Sequence, residues 1–161
     1  MRQQTKNEKC GGKWIRRYLL KIGEELMKTI DTFLTNNSAY LAPIGRLLIT
    51  FMFIMSGFSK MSNYSNTAAW METLGVSGGL LPIVIGLEIF GGIAILIGWQ
   101  VRVISLLLAG FCILSAIVFH TDFADQNQMT QFMKNITIAG GFVFLVTHGA
   151  GNFSLDNRKI D

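Results

Sequence analysis

Charge is scarce in this chain. Only 15% of its 161 residues are Asp, Glu, Lys or Arg, half are hydrophobic, and the mean hydropathy is +0.42. An ordinary soluble domain carries about 25% charged residues, so this composition points to a bilayer rather than to water. Cysteine is scarce as well. Cys10 and Cys112 form no CxxC and stand far apart, which removes a disulfide framework and leaves no dithiol for chemistry within this chain. Cys112 falls in an apolar stretch and reads as a small buried hydrophobe. No nucleophile–base arrangement, phosphate-cradling loop or haem-binding pair of helical histidines is present, and the glycine pairs at 78–79, 91–92 and 140–141 match no dinucleotide fingerprint. No basic run interleaved with aromatics sits in a polar domain, so no nucleic-acid partner is expected. Nothing repeats at a fixed period.

Long apolar runs are what the chain does have. Four reach the length of about 20 residues that a helix needs to cross a bilayer: residues 41–58, 80–99, 101–120 and 132–148, the last being the least apolar. Pro43 and Pro82 fall in the first turns of their runs, where proline is tolerated. The short connection at 98–101 makes the second and third spans antiparallel neighbours. Residues 59–79 and 121–131 read as loops, the first ending in GVSGG. The expected fold is all-α, an integral-membrane four-helix bundle.

Orientation follows from Lys and Arg. Arg2, Lys6, Lys9, Lys13, Arg16, Arg17, Lys21 and Lys28 precede the first span, Arg102 follows the second, and Arg158 and Lys159 follow the fourth. The first loop has only Lys60, at its boundary, and the third has Asp122 and Asp125 but no cation. Both termini are therefore expected in the cytoplasm. Residues 1–38 form a basic extension, 39–156 the four-span domain, and 157–161 a short cytoplasmic tail. Within the extension, KWIRRYLLKIGEEL aligns Ile15, Leu19, Ile22 and Leu26 on one side of a basic amphipathic helix suited to an anionic membrane surface. It lacks the apolar core of a cleavable signal peptide. Met27 offers an alternative start of translation, because Gly23-Glu24-Glu25 requires G- and A-rich codons resembling a ribosome-binding site, and residues 1–26 would then not be made.

Small and polar residues gather on one face of each span. The first carries Arg46, Thr50, Phe53, Gly57 and Lys60, the second Glu88, Gly91, Gly92 and Ile95. The third carries Arg102, Ser105, Ala109, Cys112, Ala116 and His120, and the fourth Lys134, Thr137, Gly141 and His148. Small residues let helix backbones approach where no hydrophobic effect drives association, so Gly57, Gly91, Gly92 and Gly141 are the packing candidates. Glu88 is the informative residue. An ionised carboxylate at mid-membrane costs about 2.5–3.5 kcal/mol, so it faces the bundle interior and needs a partner. Arg46 on one side, or Lys60 and Lys134 through water on the other, are the available cations. The candidate polar cluster is Arg46, Lys60, Glu88, His120 and Lys134, either a register-setting ion pair or a ligand- or proton-handling site. His120 with Asp122 and Asp125 is a weak metal corner, and no metal is expected. His148 belongs to the opposite end.

The pieces GRLLITFMFIMSGFSKM (45–61), GLEIFGGIAILIGWQVR (86–102), the helix ending in His120, KNITIAGG (134–141) and GAGNFSLD (149–156) together resemble the DoxX family of small four-helix bacterial inner-membrane proteins. The resemblance implies a multi-pass inner-membrane location and marks Arg46, Gly57, Lys60, Glu88, Gly92, Gly98, Arg102, His120 and the GAG run. It also implies an association with quinone or redox chemistry, since the family takes its name from subunits of a thiosulfate–quinone oxidoreductase. The expectation is a binding or scaffold component for a quinone-like small molecule or a redox-protein partner. No cofactor is evident beyond such a quinone, and the chain is not expected to be an enzyme on its own. The alternatives are a membrane subunit of a quinone-linked oxidoreductase, and a small-solute or proton pathway. A homo-oligomer is compatible with all three.

Overall fold

The computed structural model describes residues 4–158, with side chains from residue 14 onward. Arg2, Lys159 and the side chains of Lys6, Lys9, Cys10 and Lys13 lie outside the described residues. Five α-helices follow in order: α1 Gln4–Ser62, α2 Tyr64–Thr73, α3 Leu81–Ile97, α4 Val101–Phe119 and α5 Gln126–His148. A 3-10 turn, Gly78–Leu80, leads into α3, and no strand occurs among the described residues. Helices α1, α3, α4 and α5 are each long and apolar enough to cross a membrane, which gives the all-α, four-span architecture.

The chain divides into two units, Met1–Ser38 and Ala39–Asp161. In the first, residues 4–38 are helical, with Trp14 stacked on Tyr18 and an exposed Lys28–Glu25 ion pair of 3.7 Å. Ile15, Leu19, Ile22 and Leu26 are all exposed.

The second unit holds the bundle, and three features differ from the sequence expectation. Pro43 lies inside α1 rather than in its first turn. Its missing N–H costs one helical bond, a loss that spanning helices accommodate. Residues 59–79 are not a loop: α1 runs on to Ser62, and α2 follows after the single residue Asn63. The α2 segment YSNTAAWMET has no apolar period to reveal it. It folds by packing, with Met71 buried and Trp70 stacked on Phe119 at 5.2 Å. Helix α5 starts at Gln126 instead of 132, because the Asp125 side chain accepts from the Asn127 N–H at 2.9 Å and caps a polar first turn that hydropathy cannot see.

The glycines set how closely the helices approach. Gly57 of α1 sits against Ile89 of α3, whose Cγ1 would be 2.5 Å from an added Cβ. Gly92 of α3 faces Ile54 at 2.8 Å on the same measure. Gly91 faces Leu108 and Ile104 of α4, and Gly141 of α5 faces Ile49 at 3.0 Å. Phe53 and Phe142 meet edge-on at 5.2 Å between α1 and α5, within a core that includes Ile95, Leu108, Ala109, Cys112 and Ala139. Outward-facing side chains such as Phe90 (74% exposed) and Leu48 (71%) are left uncovered among the described residues, the surface expected of helices that meet lipid.

One end of the bundle is closed by the segment after α5. Gly98, at φ 78°, ends α3 with the Gly98 and Trp99 N–H groups returning to Ile95 and Ala94. Leu155 and Asp156 donate to the carbonyls of Ile97 and Gly98 at 3.3 and 2.8 Å. The Asp156 carboxylate in turn accepts from the Gln100 and Val101 N–H groups at 2.7 and 2.8 Å, capping α4 in place of a residue from its own turn. Asp156→Ala should lower stability by about 1–2 kcal/mol, read by thermal unfolding in detergent, whereas Asp156→Asn, which keeps one acceptor, should lose less.

Candidate functional site

The interior faces of α1, α3 and α4 repeat at helical spacing as the sequence indicates. Thr50, Phe53 and Gly57 are buried on α1, Glu88, Gly91, Gly92 and Ile95 on α3, and Ser105, Ala109, Cys112 and Ala116 on α4. Helix α5 departs from the expected line. Lys134, Thr137 and His148 are exposed, and Asn135, Ala139 and Phe142 turn inward instead. The interior of α5 is chosen by the fit of Phe142 against Phe53 rather than by polarity.

Glu88 is 4% exposed and reaches Lys60 directly. The Lys60 Nζ donates to Oε1 and Oε2, both at 2.9 Å, and to Ser56 Oγ at 2.6 Å, while Ser56 Oγ donates to Glu88 Oε1 at 3.3 Å. Ser56 and Lys60 stand one turn apart on α1, so a single helix face supplies both partners of the carboxylate. A bidentate pair of this kind offsets the desolvation of Glu88 far better than one contact through water.

Beside this pair lies a cavity of about 330 Å³. Phe53, Trp70, Phe111 and Phe119 give it aromatic walls, and Met52, Met71 and Val84 add aliphatic surface. Ser56, Lys60, Thr67, Glu88, Ser115, His120, Gln131, Lys134 and Asn135 give it polar points. His120 ends α4 with its Nδ1 2.7 Å from Gln128 Oε1 of α5. Lys134 stands at the rim with its side chain exposed. Four of the five cluster candidates, Lys60, Glu88, His120 and Lys134, thus line one cavity.

Arg46 does not join them. It is 2% exposed at the opposite end, where it donates from Nη2 to the Phe153 carbonyl and lies against Gly98. Glu88 is ten residues back along α3, about 15 Å at the helical rise, so a direct Arg46–Glu88 pair is out of reach. Asp122 and Asp125 accept from the Ala124 and Asn127 N–H groups instead of converging with His120. Among the described residues, no three His, Cys, Asp or Glu side chains form a metal-sized group. His148 stacks on Phe144 at the Arg46 end.

Trp70, Met71 and Thr67 escape the sequence reading, because the α2 segment carries no apolar period and reads as a loop. The tryptophan and methionine, large apolar residues in an otherwise polar stretch between two spans, were the available signal. Ser56 and Asn135 were missed as well, each one position from a residue placed on the polar line.

A DoxX family profile matches residues 41–121, half of the chain. The chain is 44% identical over 119 residues to inner membrane protein YqjF of Escherichia coli (strain K12), covering 72% of this chain and 92% of that protein. It is 32% identical over 122 residues to inner membrane protein YphA of the same organism, covering 71% and 87%. A more distant similarity, 28% over 125 residues, links it to ER-derived vesicles protein ERV29 of Saccharomyces cerevisiae, covering 74% of this chain and 34% of that protein. No solved structure matches. Four membrane-competent helices, the family profile and these relatives make it a membrane protein that belongs to the DoxX family.

Proposed function

We propose that the protein is a membrane-embedded binding component for a small, quinone-like aromatic molecule, working beside a redox partner rather than as an enzyme by itself. The observation that carries this reading is the Lys60–Glu88 pair in the wall of an aromatic cavity. An ion pair kept only to hold two helices is best enclosed by them. Here the Lys60 side chain stays 27% exposed, and the pair borders about 330 Å³ of open space. That volume falls at the lower end of small-molecule sites, and the mixture of aromatic walls with few polar points is their usual chemistry. The C-terminal segment stoppers the other end of the bundle, which favours a binding cavity over a through-pathway for solutes or protons. The Lys and Arg bias supports a reading in which the cavity mouth faces the outer side of an inner membrane and both termini face the cytoplasm.

Protein purified from native membrane should therefore carry an aromatic, redox-active small molecule identifiable by mass spectrometry. Glu88→Gln and Lys60→Ala should each reduce its capture about tenfold while the chain still inserts, because each removes one charge of the polar anchor. Undiminished capture by both variants would contradict the reading. A membrane subunit of a quinone-linked oxidoreductase would use the same cavity with a cofactor on its partner. Quinone turnover by the chain together with its copurified partner distinguishes that role from binding alone.

A further inference from the structure

We infer that the N-terminal part of α1 is a docking arm for anionic lipid, which lays residues 14–34 in the headgroup layer of the leaflet that the first span departs from.

Charge gives the first sign. Residues 1–38 hold eight Lys and Arg against four Asp and Glu, while the rest of the chain balances six against six. The whole net charge of +4 therefore sits on the extension. Orienting a first span needs cations near it, but no apolar face beside them. This helix has one. Ile15, Leu19, Ile22, Leu26 and Phe33 repeat at helical spacing, and all are exposed. Leu20, Met27, Ile30 and Leu34, exposed as well, broaden that side. Arg17, Lys21, Glu24, Lys28 and Asp31 recur at spacings of four and three on the other side. The acidic residues fall in its later turns. Arg16, Arg17 and Lys21 meet no carboxylate among the described residues, whereas Lys28 pairs with Glu25 at 3.7 Å. Trp14 and Tyr18 stack at the border of the two sides, where amphipathic rings suit a headgroup layer.

A coiled-coil seam with a second copy would use two positions in seven, and this apolar side is wider than that. A lipid surface covers the full width and keeps the cations among phosphates. Continuity points the same way. The extension and the first span share α1, so the arm is tethered at the bilayer surface and needs no encounter with a free partner. The junction 35–38, TNNS, suits a turn into the membrane plane. Asn37 Nδ2 donates to the Phe33 carbonyl and Ser38 Oγ to the Thr35 carbonyl, both at 2.8 Å, and such bonds compete with the helical ladder.

Hydrogen–deuterium exchange of the full chain in nanodiscs tests this. A helix held only by its own bonds exchanges fast, and docking slows it. Amides of 14–34 should exchange about tenfold more slowly in discs of about one-third phosphatidylglycerol than in pure phosphatidylcholine. Sodium chloride at about 0.5 M should erase most of that difference. Exchange in α4 should stay the same throughout, which reports a folded bundle in every sample. Arg16→Gln/Arg17→Gln/Lys21→Gln should remove the lipid dependence, and Leu19→Gln/Leu26→Gln should remove the slow exchange itself. Equal exchange in the two lipids would overturn the proposal. So would slow exchange that survives Leu19→Gln/Leu26→Gln, which would leave the apolar side without a role. Slow exchange in both lipids that vanishes in discs holding one copy would give the face to a second copy instead. An intact mass showing that the natively expressed chain begins at Met27 would also overturn it, since Arg16, Arg17 and Lys21 would be absent.

Discussion

Lys60→Met should destabilise the protein by about 3–5 kcal/mol. The methionine fills most of the lysine volume, so the loss is electrostatic. Glu88 is left 4% exposed, with a 3.3 Å bond from Ser56 as its remaining protein partner. The reverse change is milder. In Glu88→Leu the partly exposed Lys60 can extend towards the bundle end and keep its charge in water, so a loss of about 1–2 kcal/mol is expected. The double variant Lys60→Met/Glu88→Leu replaces the pair with apolar groups and should recover most of the stability of the wild type. Denaturant unfolding in a fixed detergent, followed by helical circular dichroism, reads all three. Additive losses in the double variant would show that the two residues do not act as a pair.

Gly98→Ala should cost about 3 kcal/mol or more and sharply reduce recovery of monodisperse protein. Two effects coincide at this position. The residue holds φ 78°, ψ 38°, which an L side chain adopts at a cost of about 1–2 kcal/mol. An added Cβ would also run into the Arg46 guanidinium and the Ser154 backbone, 2.8 Å from its Cα. Relieving that clash means moving either the closing segment, which caps α4 through Asp156, or Arg46. The buried Nε and Nη1 of Arg46 have no partner among the described residues, so the Phe153 carbonyl is the acceptor its guanidinium would lose. Gly110→Ala is the control on α4, since nothing lies within 4 Å of its added Cβ, and it should be neutral or slightly stabilising. A normal melting temperature for Gly98→Ala would mean that the closing segment is not held as described.

The spans of α3 and α4 were readable to within a residue or two because their apolar runs are bounded by Pro82, Gly98 and His120. The buried faces of α1, α3 and α4 were readable because small and polar residues recur there at helical spacing. Glu88 needed a cation, and Lys60 was among the named candidates. Three things could not be read. The burial of α5 turns on Phe142, whose apolar side chain looks equally suited to lipid until Phe53 is placed against it. Helix α2 carries no period and exists only as a cover packed on other helices. The partner of Arg46 is a backbone carbonyl 107 residues away, and backbone acceptors leave no trace in side-chain pattern. Hence an arginine and a glutamate that look paired by depth belong to opposite ends of the bundle.

A ligand cavity and a merely structural ion pair differ in what happens when the space is filled and the pair is left alone. Ser115→Trp adds an indole to the cavity wall and leaves Lys60, Glu88 and Ser56 in the sequence. Native mass spectrometry of the wild type and this variant, both released from native membrane, is the direct comparison. The wild type should retain a bound small aromatic molecule, and the folded variant should appear at its bare polypeptide mass. A wild type that carries nothing, or a variant that keeps the same adduct, would mean that the Lys60–Glu88 pair holds helices and serves no ligand.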